Sequence, residues 1–391
     1  MSHKITFTPL SYTGWGALDH LTDEVKKTNA SNILIVTDPF LVDLGIADKI
    51  EAPLKEQGWK TSIYTEVVPE PPLAVGEKLV AYTKEHQFDL VIGLGGGSAL
   101  DLAKLAAVLA AHEGQAADYL NLTGTREISN KGIPKILIPT TSGTGSEVTD
   151  IAVLSLETTK DVVTHNFLLA DVAIVDPALT VSLPPKVTAA TGIDALTHAI
   201  ESYVSVNASP VTDALALQAI RLISGSIRTA VNEGDHKQAR SDMSYGSYLA
   251  GLAFFNAGVA GVHALAYPLG GQFHISHGES NAVLLPYVMG YIRSSCEKRM
   301  KDILEALGVS STQLSQEEAS YKCVEELQRL VADVNIPLNL QGFGIAQEAL
   351  DHLTDDAIKQ QRILARSPMP LERDDIFSIY ESAFHGEIKE K

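Results

Sequence analysis

The stretch that decides the fold is "DLVIGLGGGSALDLAKLAAVLAA" (89–111). It opens with an apolar run short enough for a buried strand. It then breaks on Gly95, Gly96, Gly97 and Ser98, and continues with apolar residues spaced by three and four, as a helix does. Glycines at such a turn let a ligand approach the backbone closely, and the free amides of a helix start attract an anion. The turn departs from G-x-G-x-x-G because Ser98 stands where the third glycine would fall, and no P-loop lysine follows.

Working outward, further strand-like runs appear at "NILIVTD" (32–38), "TSIYTEVV" (61–68), "KILIPTT" (135–141) and "VAIVDP" (172–177). Helical patterns separate the earlier ones, at "LVDLGIADKIEAPLKEQG" (41–58) and "LAVGEKLVAYTKEHQ" (73–87). Such alternation predicts parallel βαβ units with helices covering the sheet. After "LTVSLPPK" (179–186) the chain turns long, helical and rich in Ala and Leu. The Pro-Pro pair suits a helix start, so the boundary is expected near residue 182. The expected architecture is a Rossmann-like α/β domain (1–182) followed by an all-α domain (183–391). The cleft between domains is where a site is expected.

Composition bounds the function. The chain has 391 residues, 45% hydrophobic and 20% charged, which suits a globular protein. A net charge of −18 argues against nucleic acid or an anionic membrane as partner. It leaves room for an anionic cofactor held by backbone amides. Two cysteines, Cys296 and Cys323, make neither a disulfide framework nor a zinc–thiolate site. With no signal-peptide pattern in "MSHKITFTPL" and no apolar run near the ~20 residues of a membrane span, a cytoplasmic protein is expected.

A second loop rich in glycine and hydroxyls, "PTTSGTGSEVT" (139–149), also follows a strand. Two such loops in one domain favour a nucleotide. Asp38 ends the strand at 32–38; a carboxylate there accepts from ribose hydroxyls and repels a 2′-phosphate, which points to NAD over NADP. It precedes the glycine turn by 57 residues instead of following it, and Asp is equally a turn former.

The helical part carries a different signal. In "TGIDALTHAIESYVS" (191–205), Ile193, Leu196, Ile200 and Val204 form an apolar stripe, while Asp194 and His198 stack on another face with Glu201 close by. Asp and His at i, i+4 can share one divalent ion. His263 is the only group titrating near neutral pH between Leu249 and Gln272, and "HISHGES" adds His274, His277 and Glu279. Three histidines with one aspartate suit iron or zinc, though spacing alone fixes no ligand set.

"TGIDALTHAIESYVS", "NAGVAGVHALAYPLGGQFHISHG", "GLGGGSALDLAK" and "IPTTSGTGSEVT" together resemble the signature segments of the iron-containing alcohol dehydrogenases. The likeness runs from "VTDPFL" to "HGESNAVLLP" and weakens after about residue 300. It implies a dehydroquinate synthase-like architecture and one catalytic divalent metal, Fe2+ with Zn2+ also compatible, on Asp194, His198, His263 and His277. It implies NAD on Asp38, Gly95, Gly96, Gly97, Ser98, Thr140, Thr141 and Thr144, bordered by Val153 and Lys160, with Leu179 at the domain junction. A homodimer is implied as well. Two departures stand out: Tyr267 replaces a frequent histidine, and Glu70 in "VPEPP" replaces a frequent asparagine.

The activity implied is hydride transfer between an alcohol and its aldehyde or ketone, with small alcohols or carbonyls as partners. Tyr267 is the candidate proton relay and Phe254 a candidate wall of the substrate pocket. Two alternatives use NAD only transiently or without release: a dehydroquinate-synthase-type lyase and a hydroxyacid–oxoacid transhydrogenase. The near-absence of Lys and Arg from the metal-binding segments argues against the lyase, whose substrates are polyanionic. A non-catalytic nucleotide-binding protein would have no need of the four ligands.

Overall fold

The computed structural model describes residues 2–157 and 159–389. Its contacts fall into two compact units: Phe7–Val181, and Ser182 onward together with the residues before Phe7. The N-terminal segment joins the helical unit because Thr6 and Asn256 exchange hydrogen bonds, N–H to Oδ1 at 2.7 Å and Nδ2 to carbonyl at 3.0 Å.

The first unit is built on eight strands among the described residues: β1 (Ser11–Thr13), β2 (Asn32–Val36), β3 (Lys60–Tyr64), β4 (Leu90–Gly95), β5 (Lys135–Pro139), β6 (Ile151–Ser155), β7 (Lys160–Thr164) and β8 (Val172–Val175). Six of them form one parallel sheet in the order β1-β8-β5-β4-β2-β3. The helices are α1 (Leu21–Thr28), α2 (Pro39–Asp43), α3 (Ile46–Glu56), α4 (Leu73–His86) and α5 (Gly97–Leu109). Alternate strand residues feed opposite cores. Leu34, Val36 and Val91 pack with α4 and α5, whereas Ile33, Ile35, Leu90 and Ile92 pack with α1 and α3. The expected helix over 41–58 is broken by Gly45 in the left-handed region (φ 68°), giving α2 and α3 instead.

Chain order reverses at β2. From β2 the chain steps outward to β3, then returns to place β4 on the other side of β2. Ligands in such sheets bind outside the carboxyl ends of the strands flanking that switch point. Asp38, just past β2, and Gly95, ending β4, are therefore neighbours despite their reversed order in the sequence. Two features escaped sequence reading: the short edge strand β1, and the antiparallel hairpin β6–β7.

The helical unit holds α6 (Pro185–Val204), α7 (Pro210–Asn232), α8 (Lys237–Ala257), α9 (Gly261–Phe273), α10 (His277–Ile292), α11 (Glu297–Ala306), α12 (Gln316–Asp333), α13 (Leu350–Ala357), α14 (Gln361–Leu364) and α15 (Arg373–His385). Pro185 occupies the first turn of α6, where its missing N–H costs nothing. Packed by α7, α8 and α10, α6 is buried around almost its whole circumference from Thr188 to Val204, not along one stripe. Its charge-poor composition follows from that: a surrounded helix keeps only polar groups that find partners. Both cysteines are buried free thiols, and burial pushes Cys296 up to about 12.

Candidate metal centre and dinucleotide site

Three helices bring four donor groups together. Asp194 and His198 sit one turn apart on α6, His263 in the first turn of α9, and His277 opens α10. One ligand atom from each lies within 4.8 Å of all the others. Asp194 Oδ1 is 3.7 Å from both His263 Nε2 and His277 Nε2, and Asp194 Oδ2 is 4.0 Å from His198 Nδ1. Asp194, His198 and His263 are buried and His277 is partly so. Burial pushes the Asp194 carboxyl up, but the three imidazoles and the Asn281 amide outweigh it and leave it below its ordinary value. A lone carboxylate among three imidazole nitrogens is a donor set that iron or zinc accepts.

Aromatic rings line this cluster. Phe254 stacks on His198 at 4.3 Å and 17°, and the Tyr267 ring lies 6.0 Å from that of His277. His274, by contrast, is an exposed left-handed cap at the end of α9 and no member of the cluster.

Two residues of the cluster had no role assigned from sequence. Asn281 Nδ2 donates to Asp194 Oδ1 at 2.7 Å and lies 3.2 Å from both His263 Nε2 and His277 Nε2. Its signal was available: it follows His277 by one helical turn. Glu201 reaches His263 Nδ1 at 2.5 Å and accepts the Val262 N–H at 2.6 Å. The sequence placed Glu201 beside Asp194 and His198, but not beside a ring from another helix.

In the α/β unit the two glycine-rich loops meet. A Cβ on Gly97 would lie 2.7 Å from Thr144 Cγ2, and one on Gly96 would lie 3.4 Å from Thr141 Cγ2. Thr140 N–H donates to the Gly95 carbonyl at 3.0 Å. The Asp38 carboxylate lies nearby, its Oδ2 3.7 Å from where a Gly95 Cβ would stand, while its Oδ1 caps α2 through Leu41 N–H at 3.0 Å. Asp38 is thus a helix cap as well as a ribose candidate.

Lys160 is buried and ion-paired with Glu70 at 3.1 Å. Glu70 itself adopts left-handed backbone (φ 48°) and donates its N–H to Ser98 Oγ at 3.2 Å. The substitution noted in the sequence therefore couples two candidate cofactor residues. Val153 N–H donates to Asp101 Oδ2 at 3.0 Å, and Leu179 lies in the core with Leu41 and Leu94.

Asp101 and Lys104, on α5, were not singled out by sequence reading. Asp101 Oδ1 accepts from Ser146 Oγ at 2.5 Å, and fully buried Lys104 donates to the Ser146 carbonyl at 3.0 Å while pairing with Asp101 at 2.9 Å. Two opposite charges at i, i+3 within an apolar helix were the signal. They pin the second loop to the helix that starts at the glycine turn.

Known proteins fit this arrangement. Residues 9–177 match the family model described as iron-containing alcohol dehydrogenase, and residues 188–384 match that of the Fe-containing alcohol dehydrogenase family, C-terminal. The chain belongs to the iron-containing alcohol dehydrogenase family. It is an oxidoreductase of the alcohol dehydrogenase type, and the lyase and transhydrogenase alternatives are not favoured. It is 70% identical over 387 residues to long-chain-alcohol dehydrogenase 1 of Geobacillus thermodenitrificans, covering 99% of this chain and 98% of that protein.

The fold matches the crystal structure of a 1,3-propanediol oxidoreductase with a TM-score of 0.94 and 36% identity, over 98% of this chain and 100% of the other. It also matches, with a TM-score of 0.87 and 27% identity, sulfoacetaldehyde reductase from Bifidobacterium kashiwanohense in complex with NAD+, over 98% and 99% of the two chains. The α/β sheet followed by a helical half is thereby the family's architecture.

Proposed function

We propose that this alcohol dehydrogenase uses NAD and one divalent metal, iron with zinc also compatible, held by Asp194, His198, His263 and His277. The observation that carries the reading is the convergence of those four donor atoms within 4.8 Å. Residues 1–182 serve the dinucleotide and 183–391 the metal. The name of the 70% identical relative supports an alcohol with an extended apolar chain as substrate, and the Phe254 ring against His198 supplies an apolar wall for it.

When bound, the metal supplies Lewis-acid polarisation of the substrate oxygen, and the dinucleotide accepts or donates hydride. Oxidation of an alcohol to its aldehyde removes a hydride from the carbinol carbon, which the dinucleotide would accept, and a proton from the hydroxyl, for which the chain must supply a path. Asp194 is the one carboxylate among the four donors, so a divalent ion held there would keep a net positive charge to act on the substrate. Phe254 and buried His263 keep water from one flank. Tyr267, beside His277, is the candidate to carry the proton away.

Asp38, Gly95 to Ser98, Thr140, Thr141 and Thr144 hold the dinucleotide, with Val153, Lys160 and Leu179 around it. The enzyme works in the cytoplasm as a homodimer. The free edge of β1, next to exposed Phe7 and Leu10, supports an association between copies. No single helix among the described residues is long and apolar enough to cross a membrane.

The test is the variant His263→Ala. It should lose bound metal on elemental analysis and lose NADH production from long-chain alcohols, while NAD+ still binds. Turnover equal to wild type would remove the metal assignment.

A further inference from the structure

We propose that Glu201 is a positioning residue: it fixes His263 in the tautomer that carries its proton on Nδ1, so that Nε2 offers a lone pair to the metal. This rests on the metal reading above and adds a residue that the ligand set does not contain.

Asp194, His198 and Glu201 recur at i, i+4 and i+7, so all three lie along one line of α6. Asp194 and Glu201 are two helical turns apart, on the order of 10 Å along the axis. The ring of His263, delivered by α9, spans part of that gap. Its Nδ1 is 2.5 Å from Glu201 Oε2, and its Nε2 faces Asp194 Oδ1 at 3.7 Å. Glu201 and His263 are 1% and 2% exposed, so water does not compete for either group.

An ionised carboxylate only accepts hydrogen bonds. With the carboxylate as acceptor in this contact, the proton sits on Nδ1 and Nε2 is bare in the neutral ring. The second Glu201 oxygen is engaged by the Val262 N–H at 2.6 Å, which prevents the carboxylate from swinging away. An imidazole that donates its far N–H to a carboxylate is both held in orientation and made a more basic ligand. A competing role exists: Glu201 could serve only to cap the start of α9 through Val262.

Glu201→Gln separates the two roles. Its carbonyl can still accept from Val262 N–H, so the cap survives. Its NH2 then faces Nδ1 and favours the opposite tautomer, with a proton on Nε2 where the ion should bind. Zn2+ affinity, measured by chelator competition, should fall about 10- to 100-fold, while NAD+ affinity and the melting temperature of the metal-free protein stay at wild-type values. In metal-free protein labelled with 15N-histidine, the His263 signals should report Nδ1–H in the wild type.

Wild-type Zn2+ affinity in Glu201→Gln would overturn the proposal, and so would an Nε2–H signal from wild-type His263. The second measurement needs no variant, so it decides even if the substitution impairs folding. Wild-type protein that takes up no Zn2+ would instead remove the metal reading itself.

Discussion

Single residues here carry two duties at once, and Asp38 is the clearest case. Its Oδ1 caps α2 through Leu41, while its Oδ2 borders the glycine turn. Its sequence position supported either duty; the structure makes the cap real and leaves the carboxylate charge beside the turn. Asp38→Asn separates them, because asparagine caps a helix as well as aspartate does but bears no charge. Repulsion between like charges near a surface is worth about 1–2 kcal/mol, so the ratio of kcat/KM for NAD+ over NADP+ should fall roughly tenfold, with thermal stability unchanged. An unaltered ratio would leave Asp38 as a cap alone. Glu70 belongs to the same scale: legible as a substitution, it became meaningful only when Lys160 and Ser98 were seen on either side of it.

Between elements, the close crossing of α6 and α10 sets the geometry of the four-donor cluster. Gly278 follows His277 directly, and a Cβ there would lie 2.2 Å from the Ala190 carbonyl oxygen of α6. Backbone cannot yield as a side-chain tip can, so any larger residue must push α10 away and carry His277 with it. Gly278→Ala should therefore cost about 1–3 kcal/mol of stability and also weaken metal binding. Parallel urea unfolding and metal titration check both effects. A variant that unfolds more easily yet binds metal as tightly as wild type would show that the crossing does not position His277. The sequence displayed the i, i+4 pair on α6, since helical periodicity alone stacks those residues. It could not display the crossing, because the contact between Gly278 and Ala190 joins positions far apart in the chain.

Across the whole molecule, a buried acid away from the four-donor cluster gives stability a pH dependence. Glu147, in the loop after β5, is 3% exposed, and burial raises it from 4.5 to about 7. An acid whose folded value is raised binds more protons when folded than when unfolded. Its contribution to stability is complete below about pH 4.5 and is lost as the pH rises through about 7. The full shift corresponds to roughly 3 kcal/mol. Glu147→Gln, neutral at every pH, should be more stable than wild type at about pH 8 by up to that amount, and the difference should shrink steadily towards about pH 5. Denaturant unfolding across this range tests it; a constant gap would mean that Glu147 stays ionised in the folded protein.

What the sequence by itself determined was most of the local structure, the edge strand β1, the β6–β7 hairpin and the break at Gly45 excepted. Strand and helix periods, the glycine break at 95–98 and the i, i+4 spacing of Asp194 and His198 all follow from backbone geometry within a few residues. It also foretold the parallel α/β half and the helical half, because each is a repetition of such local units. Only the tertiary structure decided which distant groups meet. The return of the chain past β2 put Asp38 beside Gly95, and the packing of α6 against α9 and α10 put Glu201 behind His263 and Asn281 among the four donor groups. Those meetings depend on how buried faces fit together, a property of shape and close packing that no periodicity along the chain encodes.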